Sequence, residues 1–232
     1  THSLHNPEPA SVVAGRPFLY DAQLSSGNGE AACASCHVFG DLDSLAWDLG
    51  NPDDAVSDNT QPAVLQGQST FHPMKGPMTT QTLRGLATHG GLHWRGDRVD
   101  GFFGTDPCTD PLGSVCNEDL SFRNFIVAFE GLVGMDGTLT PEQMRQFTDF
   151  SLDIMLPPNP VRALDNSLNA TQQSGAGVYT LAGTDAGILS CIDCHALNPG
   201  LGFFGTQGFQ TFEGETQNFK VAGLRNLYQK IG

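Results

Sequence analysis

Cys33-Ala34-Ser35-Cys36-His37 and Cys191-Ile192-Asp193-Cys194-His195 are two copies of the pattern Cys-x-x-Cys-His, and their reading decides the fold. Two thiols one helical turn apart can reach the two vinyl groups of one porphyrin, and the adjacent His then lies beneath the iron as an axial ligand. The pattern predicts two covalently bound haem c groups. Cys33, Cys36, Cys191 and Cys194 would attach them, and His37 and His195 would be the proximal metal ligands. Zinc knuckles and redox dithiols are the competing readings. Zinc wants four ligands per site, and a thioredoxin-like dithiol wants a βαβ setting. Two copies with matching flanks, in a chain with only two other cysteines, favour haem.

The flanks repeat loosely. Gly15-Arg-Pro-Phe18-Leu-Tyr20 precedes the first motif, and Gly175-Ala-Gly-Val178-Tyr179 precedes the second. Tyr20 lies 13 residues before Cys33, and Tyr179 lies 12 before Cys191. Downstream come Thr82-Leu83-Arg84-Gly85-Leu86 and Gly223-Leu224-Arg225-Asn226-Leu227. Repetition of this kind predicts two structurally related units.

Between the motifs the spacing is helical. Phe122, Phe125, Ile126, Phe129, Leu132 and Val133 make one apolar helical face, and Gly134 can end that helix. Thr140-Pro141-Glu142-Gln143 offers an N-cap, a proline at the first helical position and a Gln three after the cap. That helix is predicted to run to about Met155 and to stop at Pro157-Pro158. Strand signals are weak. The expected class is all-α: two cytochrome c-like haem-binding units with long loops. Residues 1–155 and 171–232 would form the units, and the Pro-rich stretch 156–170 the linker. Residues 40–62 read as an extended loop carrying Asp41, Asp43, Asp48, Asp53, Asp54 and Asp58. Calcium could use such oxygens, but the spacing is not that of an EF-hand, and a solvated loop is the favoured reading.

The sixth iron position needs a second ligand. His93 is the leading candidate for the first haem, with His89 and His72 behind it. His89 and His93 flank Gly90-Gly91-Leu92, where the chain could turn back over the haem. Neither His nor Met occurs among the 37 residues after His195, so a ligand for the second iron would come from upstream or from beyond Gly232, or the position would stay open. Arg84 and Arg225 hold equivalent repeat positions, and each could pair with haem propionates through its fork of donors. An ion pair with a local Asp is the alternative.

The formal net charge of −14 argues against a nucleic-acid partner and favours a positively charged one. No run of about 18 apolar residues marks a membrane span. Cys108 and Cys116, separated by seven residues that include a Pro and a Gly, read as a disulfide. A disulfide and c-type haem attachment both point to a periplasmic or extracellular location, with any export signal already removed.

The paired motifs, the two Leu-Arg elements and His93-Trp94-Arg95-Gly96-Asp97-Arg98 together resemble the bacterial di-haem cytochrome c peroxidase superfamily. The likeness is greatest to its branch of exported di-haem cytochromes and spans Gly15 to Arg225. In the peroxidases a Trp-Asp-Gly-Arg segment lies between the haems and its Trp assists electron passage. The resemblance makes Trp94 the counterpart, although Arg-Gly-Asp stands here in place of Asp-Gly. The family's second haem often takes a Met beyond the Leu-Arg-Asn element, and this sequence has none there. The histidines crowded around the first haem would fill its distal side and favour electron transfer between redox partners, either a partner protein or a terminal acceptor. The alternative is peroxide reduction at one haem with electrons from the other, for which Glu118 and Glu130 are the candidate acid–base groups.

Overall fold

The computed structural model describes residues 5–49, 55–58, 70–71, 77–89, 92–94, 117–206, 220–225 and 227–229. Helix dominates: α1 (Ala10–Tyr20), α2 (Ala22–Ser25), α3 (Glu118–Arg123), α4 (Val127–Gly131), α5 (Pro141–Leu152), α6 (Ala170–Tyr179) and α7 (Cys191–Cys194). Among the described residues, strand is confined to three antiparallel pairs of two-residue segments. Ala46–Trp47 pairs with Met78–Thr79, Ser57–Asp58 with Thr70–Phe71, and Leu197–Asn198 with Phe203–Phe204. A mostly helical chain with little strand is compatible with the all-α expectation.

Helix α5 forms where its start signals place it. The Thr140 hydroxyl accepts from Gln143 N, and the Gln143 side chain accepts from Thr140 N, so two orphan donors are satisfied reciprocally. Pro141 sits where a missing N–H costs nothing. Phe147 on this helix is the hub of the core. Its ring meets Phe122 at 5.1 Å, Phe129 at 5.9 Å and Phe18 at 6.3 Å between centroids. Leu19, Leu92, Leu139, Met144 and Phe150 complete the buried cluster. Each such side chain contributes roughly 1.5–3 kcal/mol by leaving water. Helix α1 lies directly on α5 because Gly15 has no side chain: a Cβ there would stand 2.1 Å from Gln146 O. Cys33, Ala34, Leu83 and Leu86 pack on this cluster, so the first Cys-x-x-Cys-His turn rests on a formed core.

Two element boundaries differ from expectation. The single helix expected over Phe122–Val133 is split into α3 and α4 by a 3-10 turn at Asn124–Ile126. Its apolar face survives because residues three apart still neighbour one another, as Phe122 and Phe125 do at 5.8 Å. Gly134, at φ +68, still turns the chain, and Met135 N donates to Phe129 O at 2.7 Å. Helix α5 ends at Leu152 rather than near Met155, with Asp153 N shared between the Asp149 and Phe150 carbonyls.

Residues 157–169 run through turns without a regular element. Helix α6 is well capped by Asn169 and Gln172, yet it buries none of its residues. Around it Val178, Leu181, Ile188, Leu197 and Leu201 are exposed. The segments that flank the second motif in sequence therefore carry exposed apolar side chains.

Candidate functional site

The two Cys-x-x-Cys-His segments wind the same way. His37 N donates to Cys33 O at 2.9 Å, and His195 N donates to Cys191 O at 2.8 Å. Before the first Cys, Ala32 N donates to the Ser35 hydroxyl at 3.1 Å. In the second segment Ser190 N donates to the Asp193 carboxylate at 2.7 Å, and the Ser190 hydroxyl adds a bond of 2.8 Å. The third position of each motif thus closes the turn that brings its two cysteines together. All four motif cysteines are half-buried.

Each motif histidine is oriented by main-chain oxygen. His37 Nδ1 bonds Gln81 O at 2.7 Å. His195 Nδ1 bonds both Gly205 O at 2.9 Å and Ala222 O at 3.0 Å. A carbonyl can only accept, so Nδ1 carries a proton in both rings, and Nε2 is the nitrogen whose lone pair the neutral imidazole offers. Gln81 directly precedes Thr82-Leu83-Arg84, and Ala222 directly precedes Gly223-Leu224-Arg225. Burial pushes the His37 imidazole below its ordinary range, and the nearby His93 adds to this. The hydrogen bonds to the Gln81 and Asp41 main chain and the Asp43 charge oppose it.

The surroundings of the first motif's thiols hold them in the protonated form. Burial pushes Cys33 up to about 11, opposed by its backbone hydrogen bond and helped by Cys36. Burial and the Asp43 charge raise Cys36 as well. A dithiol oxidoreductase depends on the opposite shift, toward thiolate. Among the described residues, no group of three or more His, Cys, Asp and Glu side chains is arranged to hold a metal ion in the manner of a zinc knuckle.

His93 lies beside the first motif. Its backbone is held at φ +80, uncommon for a residue other than Gly, and its ring packs edge-on against Phe125 at 6.0 Å. Its neighbours are anchored: Leu92 N donates to the Ser121 hydroxyl at 2.8 Å, and Trp94 O accepts from Lys220 N at 3.2 Å. His89 is buried elsewhere, against the second Leu-Arg element. A Cβ on Gly223 would lie 3.5 Å from its Nε2, and its Nδ1 stands 3.5 Å from the Thr88 hydroxyl. His72, Cys108, Cys116, Asp53 and Asp54 lie outside the described residues.

The two arginines differ in their surroundings. Arg84 pairs with Asp41 at 2.7 Å. Arg225 donates to Pro157 O at 2.7 Å and lies over the Phe204 ring at 4.7 Å, while its Nε is buried without a hydrogen-bond partner. Of the acidic loop, Asp41 is engaged by Arg84, and Asp43 accepts from Leu45 N and the Trp47 indole. Glu130 is exposed on α4, whereas Glu118 is half-buried and close enough to act on the charge of Lys220. The sequence reading missed Gln81, Gly205 and Ala222. Their contribution to the histidines is a main-chain oxygen, which no side chain advertises. Only the register of the two Leu-Arg elements pointed to Gln81 and Ala222.

Neither a protein-family model nor a curated protein matches the chain. Among solved structures, hydrazine synthase of Kuenenia stuttgartiensis, studied under 20 bar xenon, is similar at a TM-score of 0.53 and 20% identity. The match covers 87% of this chain and 54% of that one, so this chain spans about half the length of its structural neighbour. At this identity the likeness is one of fold: the chain is built like part of a hydrazine synthase chain.

Proposed function

We propose that the chain is a di-haem c-type cytochrome that passes electrons between redox partners outside the cytoplasm. The observation that carries this reading is the shared state of the two motif histidines, each giving its Nδ1 proton to a main-chain carbonyl and keeping Nε2 for a metal. In this reading Cys33 and Cys36 hold one haem, Cys191 and Cys194 the other, and His37 and His195 ligate the irons. Bound haem supplies a reversible one-electron couple, tuned by its axial ligands and surroundings.

The residues present fit that group. The carbonyl partners fix each imidazole's orientation and raise its basicity. Arg225, with a buried Nε lacking a partner, offers a cation three residues beyond the carbonyl that holds His195. Arg84 would share its charge between Asp41 and a propionate. The apolar side chains exposed around the second motif are the kind a porphyrin face covers. Residues 1–155 and 171–232 are the two units in this reading, and 156–170 join them.

His93 decides between relay and enzyme. Placed close to His37 and anchored on both sides, it would fill the sixth position of the first iron and leave no room there for a substrate. The contrary observation is Trp94, whose main chain joins the two halves through Lys220 as an inter-haem path would require. Peroxide reduction at one haem is therefore the second reading, with Glu118 rather than the exposed Glu130 as its acid–base group. Electron-paramagnetic and optical spectra of the oxidised protein separate the two. The relay predicts that the haem at Cys33/Cys36 is low-spin and that His93→Ala makes it high-spin. A high-spin component in the unaltered protein that shifts on adding cyanide or peroxide would favour the enzyme.

A further inference from the structure

Gln81 bonds His37 through its main chain and faces Trp94 with its side chain. Its main-chain oxygen accepts the His37 Nδ1 proton at 2.7 Å. Its side-chain amide faces two donors of Trp94, and in the orientation they require the amide oxygen accepts the backbone N–H at 2.7 Å and the indole Nε1–H at 2.9 Å. The indole proton is shared with Thr79 O at 3.1 Å. Trp94 O in turn accepts from Lys220 N at 3.2 Å, and two residues beyond Lys220 the Ala222 carbonyl accepts from His195 Nδ1 at 3.0 Å. One chain of bonds therefore runs from His37 through Gln81, Trp94 and the 220–222 segment to His195.

We propose that Gln81 is a positioning residue for electron passage between the two centres. Its side chain holds the Trp94 indole in register with the segment that orients His195, while its main chain orients His37. Two features make the side chain the sensitive part. The amide oxygen receives two donors at once, so its removal leaves the Trp94 backbone N–H without that acceptor and the indole N–H with Thr79 O alone. Trp94 also follows His93, whose left-handed backbone persists only while its neighbours hold it. On the other side of His93, Leu92 is held by Ser121; Gln81 supplies much of the hold on the Trp94 side.

The inference rests on the di-haem reading, and its test separates the two. Haem content is measured first, and an unaltered protein without covalent haem sinks the cytochrome reading and this inference with it. With two haems in place, the rate at which an electron equilibrates between them after flash photoreduction is measured in Gln81→Ala, Gln81→Met and Gln81→Glu. The main-chain bond to His37 is retained in all three. Ala and Met remove the acceptor, and they should slow equilibration by about three- to tenfold, the range by which losing about one net hydrogen bond depopulates the held indole. Gln81→Glu keeps an oxygen that can receive both donors and should stay within about twofold of the unaltered protein. Unaltered rates in Ala and Met, or a Glu variant as slow as they are, would overturn the assignment. Met preserves the side chain's length, so a folding defect peculiar to Ala does not leave the question open.

Discussion

Gly15 and Gly175 hold the same place in the two halves of the sequence and meet opposite surroundings. A Cβ on Gly15 would stand 2.1 Å from Gln146 O and 2.3 Å from Phe150 Cβ, whereas a Cβ on Gly175 would meet nothing within 4 Å. Gly15→Ala should lower the unfolding free energy by about 1–3 kcal/mol through overpacking. Gly175→Ala should leave it unchanged or raise it by up to about 1 kcal/mol, because Ala favours helix over Gly. Chemical denaturation of both variants checks this, and equal effects would contradict the packing described. At this scale the matching turns of Cys33–His37 and Cys191–His195 were legible, because the same side chains recur at the same spacing. The orienting groups were not, because carbonyl oxygens look alike at every position. The surroundings of His89 were not legible either: its ring lies near Gly85 of the first Leu-Arg element and Gly223 of the second, a juxtaposition that only the fold creates.

At the scale of elements, local signals were read well where the local bonds decide. Thr140 and Gln143 cap α5 reciprocally, as their spacing implied. Thr140→Ala should cost about 1 kcal/mol and lower the melting temperature, with the helix retained in circular dichroism. An unchanged melting temperature would mean that the cap is not holding the helix end. The division of α3 from α4 was not legible. Ser121 and Asn124 are buried polar residues at the break, and Ser121 is held by a bond to Leu92, 29 residues away. A tertiary demand of that kind leaves no trace in apolar periodicity, which a 3-10 turn preserves.

At the scale of the molecule, the described surroundings of the two motifs are packed unequally. The first packs its motif on an aromatic core, while the second keeps α6 without a buried residue. Covalent cofactor would contribute most to the second. Cys191→Ala/Cys194→Ala should therefore remove one haem and increase proteolysis within residues 170–206, a region mapped by limited digestion and mass spectrometry. Cuts spread evenly over both halves would argue against this. Lys220, whose backbone N–H donates to Trp94 O, carries a pH signature. Although it retains some exposed surface, the protein packed around its ammonium pushes it down from 10.5 to about 7, with the Glu118 charge opposing. The folded chain releases this proton near pH 7 and the unfolded chain only near 10.5, so this group's contribution favours folding most above 10.5 and is lost as pH falls toward 7. Replacement by Met should flatten the corresponding rise in unfolding free energy between those pH values, and parallel curves would refute it.

The most direct measurement of the central claim is the mass of the polypeptide after denaturation and extraction with acidified organic solvent, in protein produced with a c-type haem maturation system. The account predicts that the colour stays with the chain and that the mass exceeds the polypeptide's by two haems. It also predicts that tryptic peptides spanning Cys33–His37 and Cys191–His195 each carry one. Colour that partitions into the solvent, or a mass equal to that of the bare 24.7 kDa chain, would contradict it.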